Sequence, residues 1–179
     1  PVLPASHIKG VLRETALDAC RLQPGAFPRE KINTLFGQGG GERGRLLLTS
    51  GYWHEKNPSR LLIWGSTRID ENGTAQEKSL RFVEYVPAGS RFALEAELPE
   101  EDETFFRALL AHTPYLGAQR TRGHGRVRWQ IEEPSPAPPI LPEGLPHHYP
   151  AKLRLVLRND DPLCLPLTAH PGNLITTTT

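Results

Sequence analysis

The sequence predicts an α+β domain with helices packed on a mostly antiparallel sheet. Three observations carry that class: apolar residues recur at helical spacing in two segments, alternate with mostly polar ones in two others, and an Asn-Gly pair separates two extended runs. From Ser6 to Leu22, Ile8, Val11, Leu12, Ala16, Ala19 and Cys20 form a helical stripe, and Ser6 is placed to cap its start. Lys9 and Arg13, four apart, share a different face of that helix, and Gly10 lets another backbone approach closely. A loop rich in Pro and Gly follows. "LFGQGGGERG" interrupts regular structure, and "RLLLTSGYW" reads as a short buried strand bounded by Gly44 and Gly51.

"GQGGGERG" lacks the Lys-Ser/Thr ending of a P-loop and precedes a strand, which excludes a nucleotide cradle of that kind. Between Asn57 and Glu84 two extended runs flank "DENGTA", a signal for a projecting hairpin. Phe92, Leu94, Ala96 and Leu98 alternate with polar or small residues, predicting a half-buried strand. Pro99 and the acids Glu100 to Glu103 then open a helix with Phe105, Phe106, Leu109 and Leu110 as its core face and Pro114 as its stop. "GRVRWQIE" is a strand with Val127, Trp129 and Ile131 on one side. A proline-rich linker spans 134–150, and Leu153, Leu155 and Leu157 mark a new strand. The order fits a ferredoxin-like, RRM-like βαββαβ sheet whose first strand comes from outside the segment or from the last strand.

Composition narrows the function classes. With 21 basic and 20 acidic residues the formal net charge is +1, so any surface for nucleic acid has to come from local segregation of charge. Cys20 and Cys164 lie far apart without metal-ligand spacing, and His147 and His148 sit in the proline linker without companion ligands; no metal, cofactor or disulfide framework is expected. No apolar run approaches the ~20 residues of a membrane span and no leader pattern opens the chain, so a soluble cytoplasmic protein is expected. The absence of Met, at position 1 and throughout, reads as a segment of a longer polypeptide.

The strongest local segregation is "YLGAQRTRGHGRVRW", residues 115–129, with four arginines, one histidine, three glycines and no acid. Arg120 and Arg122 are candidate phosphate contacts, while Arg126 and Arg128 alternate with core positions and are read as strand residues that pair with acids. Gly117, Gly123 and Gly125 would let the main chain approach a ligand, or serve a tight turn alone. His124 is a candidate general base, with the competing reading of a hydrogen-bonding surface residue.

Four blocks, in series, resemble the CRISPR-associated RAMP superfamily, the subunits of type III RNA-guided effector complexes. "PVLPASHIKGVLRETA" is similar to the "P-x-I-P-G-S-S-L-K-G-x-L-R" helix start of that family. "LFG" with "GRLLLTSGYW", the run "STRIDENGTAQEKSLRFVEYVPAGSRFALEAEL", and "LGAQRTRGHGRVRW" resemble its later motifs in the right order, together covering residues 1–129. The resemblance implies a ferredoxin-like fold and contacts to the backbone of CRISPR guide RNA. It places Ser6, His7, Lys9 and Arg13 on guide phosphates and the loop residues Gly117, Arg120, Arg122, Gly123, His124 and Gly125 beside RNA. It also makes the hairpin a thumb between nucleotides of guide and target RNA, with Ile63, Trp64, Arg68 and Ile69 as its wedge or base.

Family members start with a strand and a loop that holds the catalytic Asp of target-cleaving subunits, and Pro1 begins after it. "LRLVLRNDDPLCLPLTAHPGNLITTTT" is similar to such an opening strand and loop, with Asn173 near the place of the acid. Asp160 and Asp161 are therefore weak catalytic candidates. The implied organisation is a RAMP domain over 1–133, a linker over 134–150, and a strand in 151–179 that completes this sheet or opens a second unit. The implied function is RNA-binding scaffold in antiviral defence, partnered by guide RNA, target RNA and other type III effector subunits. The alternatives are an endoribonuclease that slices target or processes guide, and a module that contacts protein alone.

Overall fold

The computed structural model describes residues 2–38, 41, 43–54, 61–132 and 151–164, the side chain of Lys152 excepted. The elements are β1 (Val2–Leu3), α1 (Ala5–Leu22), α2 (Arg29–Phe36), β2 (Leu47–Leu48), β3 (Gly51–Trp53), β4 (Leu62–Ser66), β5 (Arg81–Val86), β6 (Arg91–Leu98), α3 (Glu103–Ala111), β7 (Val127–Glu132), β8 (Ala151–Asn159) and β9 (Leu163–Cys164). Single 3₁₀ turns cover Glu100–Asp102 and Arg120–Arg122. The architecture is α+β with antiparallel sheets, consistent with a ferredoxin-like fold.

The main sheet runs β1-β3-β6-β8-β7, with β2 also on β6, and every pairing is antiparallel. Its position follows from the period-2 pattern of β6, where Phe92, Leu94, Ala96 and Leu98 are at most 2% exposed. Leu153, Leu155 and Leu157 of β8 lie on the same side, opposite Ala96, Leu94 and Phe92. Ile8, Leu12 and Ala16 of α1, Ile32 and Leu35 of α2, and Phe106, Leu109 and Leu110 of α3 fill the core on that side. The other side of the sheet carries mostly polar residues, with Tyr52, Ala93 and the buried Val156 among them.

β8 is the element whose place no local pattern reveals. It pairs with β6 over Ala151–Arg158 and with β7 over Arg154–Asn159, so the last strand of this sheet in chain order lies inside it and not at its edge. Beyond it, the Cys164 carbonyl accepts the Ala118 N–H (2.9 Å), which brings this end of the chain against the glycine-rich loop. Residues 133–150 and 165–179, including His147, His148 and Asn173, lie outside the described residues.

Three local expectations are corrected. Helix α1 starts at Ala5 behind Pro4, so Ser6 is inside the first turn and does not cap; Ser50 Oγ accepts the Ala5 N–H instead (3.2 Å). The "RLLLTSGYW" run is two short strands, because four residue steps from Leu48 to Tyr52 face three from Ala96 to Ala93. That extra residue is a β-bulge, with Thr49 Oγ1 accepting the Glu95 N–H (2.8 Å), and Gly51 lies within β3 instead of bounding it. Finally, α2 includes the "LF" of the glycine-rich segment and buries Ile32, Leu35 and Phe36.

The hairpin forms as expected. β4 pairs with β5 from Leu62↔Tyr85 to Ser66↔Arg81, and β9 joins β5 at Tyr85 and Val86. At the tip, Asp70 Oδ1 accepts the N–H groups of Asn72 and Thr74 (both 2.9 Å), with Gly73 at φ +80°. These bonds to the ionised form hold the Asp70 carboxyl below its ordinary value.

Candidate nucleic-acid interface

Helix α1 carries two different polar flanks, because residues recur every 3.6 positions around it. On one side of its buried stripe lie Lys9 and Arg13; on the other lie His7 and Glu14. Ser6 and Gly10 are exposed between them, and the space beside Gly10 is open, with nothing within 4 Å of the position a Cβ would take.

On the first flank Lys9 Nζ donates to the Leu46 carbonyl (2.8 Å). Burial lowers the Lys9 pKa, and the guanidinium groups of Arg43 and Arg13 lower it further. Lys9 thus stands close enough to both arginines to be repelled by each, and Arg13 Nε is buried without a hydrogen-bond partner among the described residues. An anion placed beside them would relieve the repulsion. Arg43 was not legible in the sequence. It stands in the glycine-rich segment, bridged to Gly37, and is brought to α1 because Gly44 packs against the Phe36 and Gly37 backbone where a Cβ has no room.

The second flank holds the arginine-rich loop. The Gly117 N–H donates to His7 Nε2 (3.1 Å), which places the ring proton on Nδ1, and Arg120 Nη2 donates to Glu14 Oε2 (3.0 Å). Beside this contact a cleft of about 330 Å³ is lined by Glu14, Thr15, Asp18, Tyr115 and Arg120. Burial, then the charge of Arg120, lowers the His7 pKa below its ordinary 6.5. The unfolded chain takes up a proton as pH falls below about 6.5 while folded His7 resists, so His7 contributes stability above that pH and loses it as pH falls through its lower folded value. Thermal unfolding of the wild type should show this loss, and His7→Gln, whose side-chain oxygen accepts the Gly117 N–H at any pH, should flatten it. An unchanged profile in His7→Gln would remove His7 as its source.

Within the loop, Leu116 N–H donates to Gly125 O (2.8 Å), Val127 N–H to Pro114 O (2.8 Å) and Gly125 N–H to Pro162 O (3.1 Å). Gln119 and Gly123 take left-handed conformations on either side of the Arg120–Arg122 turn. At Gly117 and Gly125, at φ +83° and +78°, the missing side chain makes room for the Cys164 and Leu116 carbonyls of the same chain. Only at Gly123 is the corresponding space open.

The remaining candidates are dispersed. Arg122 and Arg126 are exposed, and Arg128 Nε donates to Asp160 Oδ2 (2.7 Å). His124 packs against Trp64 and Tyr85 at ring-centroid distances of 5.4 and 5.2 Å, with its Nδ1 buried and without a hydrogen-bond partner among the described residues. Tyr85 in turn is buried beside Cys164, and burial raises the pKa of both. The Asp161 carbonyl accepts from Asn159 Nδ2 (3.0 Å). Arg68 and Ile69 are exposed on the hairpin, with Ile63 58% and Trp64 50% exposed at its base. Trp53 stacks on Phe92 at 6.2 Å. Among the described residues no group of three or more His, Cys, Asp or Glu is arranged to hold a metal, and no helix is long and apolar enough to cross a membrane.

The structure therefore joins Lys9 and Arg13 to Arg43, and His7 and Glu14 to the loop, on two sides of one helix. No curated protein matches the chain significantly. A family model described as the RAMP superfamily matches residues 1–128, covering α1, the hairpin, the glycine-rich loop and the start of β7. Spanning well over half of the 179 residues, that match makes the chain a member of the RAMP superfamily, the CRISPR-associated repeat-associated mysterious proteins.

Proposed function

We propose that this chain is a guide-binding structural unit of a type III RNA-guided effector complex, holding CRISPR RNA by its backbone. Membership of the family supports a CRISPR-related RNA-binding role. The observation that carries the finer reading is the grouping of Lys9 with Arg13 and Arg43, beside the open strip of α1 at Gly10. Its chemistry suits phosphodiester oxygens, which are the same whatever the guide sequence. The strand would cross α1 over Ser6 and Gly10, where no side chain bars it, and reach Arg122 and Arg120 on the far flank. Arg120 would exchange Glu14 for phosphate. Ile63, Trp64, Arg68 and Ile69 project from the unit as a thumb toward the guide and target strands, and further effector subunits would dock around it. In this reading His7, Gly117 and Gly125 hold the loop in shape, and β8 belongs to the same folded unit as residues 1–133.

The test is binding of unstructured single-stranded RNA over a range of salt. Lys9→Ala/Arg13→Ala/Arg43→Ala should weaken binding by about a hundredfold at low salt and make the dependence of log K on log[salt] shallower by about 2, at ~0.7 for each lost phosphate contact on a single strand. Wild-type affinity in that variant would overturn the reading. Magnesium-dependent RNA cleavage abolished by Asp160→Ala would replace it with the endoribonuclease alternative.

A further inference from the structure

The open side of the main sheet carries an ordered row of basic residues. Arg91 of β6 is the register partner of Arg158 of β8, and Arg158 is the partner of Arg128 of β7. All three are exposed, and all lie on the side opposite the core residues Phe92, Leu157 and Val127. His54, whose N–H donates to the Arg91 carbonyl (2.9 Å), continues the row at the β3 edge. Like charges directly opposite one another on neighbouring strands destabilise a sheet. Among the described residues neither Arg91 nor Arg158 has an acidic partner, and Asp160 accepts from Arg128 alone. An arrangement that weakens the isolated fold gains a reason if an anion covers it.

The next row identifies the kind of anion. It runs Tyr52, Ala93, Val156, Gln130 across β3, β6, β8 and β7. Tyr52 is 62% exposed, with small or apolar neighbours beside it in its row. Beyond that the row Glu95, Arg154, Glu132 is mixed in charge, and Arg154 pairs with Glu132 (3.4 Å). An exposed aromatic ring on a sheet face, one row from a line of guanidinium groups, offers a stacking surface for a base next to donors for its phosphates. An acidic protein surface would use the arginines but has no need of the ring.

The geometry points to a second RNA-binding face on the open side of the sheet, taking an unpaired stretch of single-stranded RNA with a base on Tyr52 and phosphates on Arg91, Arg158 and Arg128. This rests on the RNA-binding reading above and extends it, because the core separates the sheet face from α1 and its basic cluster. The unit would thus contact one long strand, or two strands, on both of its sides.

The experiment uses the full chain and an unstructured oligouridylate. Arg91→Ala/Arg158→Ala should reduce affinity at least about tenfold and lower the salt slope by about 1.4, the loss of two single-strand phosphate contacts. Tyr52→Ala should lose about tenfold, and Tyr52→Phe, which keeps the ring, should bind like wild type. Removing opposed like charges should leave the melting temperature of the arginine variant equal or higher, which separates lost contacts from damaged folding. If these variants bind like wild type while Lys9→Ala/Arg13→Ala/Arg43→Ala does not, the sheet face is refuted and the guide-binding reading stands. If wild type binds no RNA, both fall. Capture of polyglutamate by this face, lost in Arg91→Ala/Arg158→Ala without change in RNA affinity, would assign it to an acidic protein and overturn the proposal.

Discussion

Gly125→Ala is expected to destabilise the folded chain by about 4 kcal/mol, against a total that for domains of this kind is about 5–15 kcal/mol. Two costs combine at this position. The backbone is held at φ +78°, where an L side chain is strained, and the added methyl would fall on the Leu116 carbonyl, which the Gly125 carbonyl's own partner residue presents across the loop. The Leu116 carbonyl shares its peptide plane with the Gly117 N–H, so swinging it aside would break the Gly117 bond to His7 Nε2, in a loop that the Leu116–Gly125 and Val127–Pro114 bonds already seat beside β7. Gly123→Ala is the internal control. It has nearly the same dihedral, φ +80°, but open space beside it, so it should cost only about 1–2 kcal/mol. Urea unfolding of the two variants measures the difference, and equal losses would show that the collision contributes nothing.

Leu155→Ala should cost about 3 kcal/mol, the ordinary range for emptying a leucine site in a close-packed core. Leu155 is fully buried at the middle of β8, opposite Leu94 of β6 and Ile131 of β7. Its loss bears on more than one contact, since β7 is joined to the rest of the main sheet through β8. Hydrogen exchange should therefore show amides of β7 losing protection along with those of β8, while α2 amides change less. Arg154→Ala, one residue away on the exposed side, should stay within about 0.5 kcal/mol of wild type because its pair with Glu132 is solvent-screened. A mild Leu155→Ala would mean that β8 is not a structural member of this sheet.

Local periodicity made much of the architecture readable in advance. β6 announces itself because its buried residues fall at every second position, and α1 and α3 because their apolar residues return every third or fourth. Helix α2 escaped because eight residues flanked by proline and glycine offer only three buried positions, too few to establish a period. The bulge at Thr49 and Ser50 depends on counting residues against a partner strand, and the partner is not visible from either strand alone. The same limit governs the site. Lys9 and Arg13 could be grouped by their spacing on a helix, but Arg43 reaches them only through the close packing at Gly44. Gly117 and Gly125 look like clearance for a ligand until the Cys164 and Leu116 carbonyls are found in that space. The row of Arg91, Arg158 and Arg128 was hidden because its members come from three strands distant in the chain.

The interior place of β8 also orders events during synthesis. Strands β3 and β6 leave the ribosome early, and β7 follows, yet β6 and β7 are neighbours of β8 and not of each other. Until the residues up to Asn159 are available, β6 presents an unpaired edge and β7 has no strand to join. Such edges are where growing chains adhere to one another, and closing them requires contacts between residues far apart in sequence, which form slowly. The nascent chain should accordingly remain sensitive to protease, and dependent on chaperones, until β8 emerges.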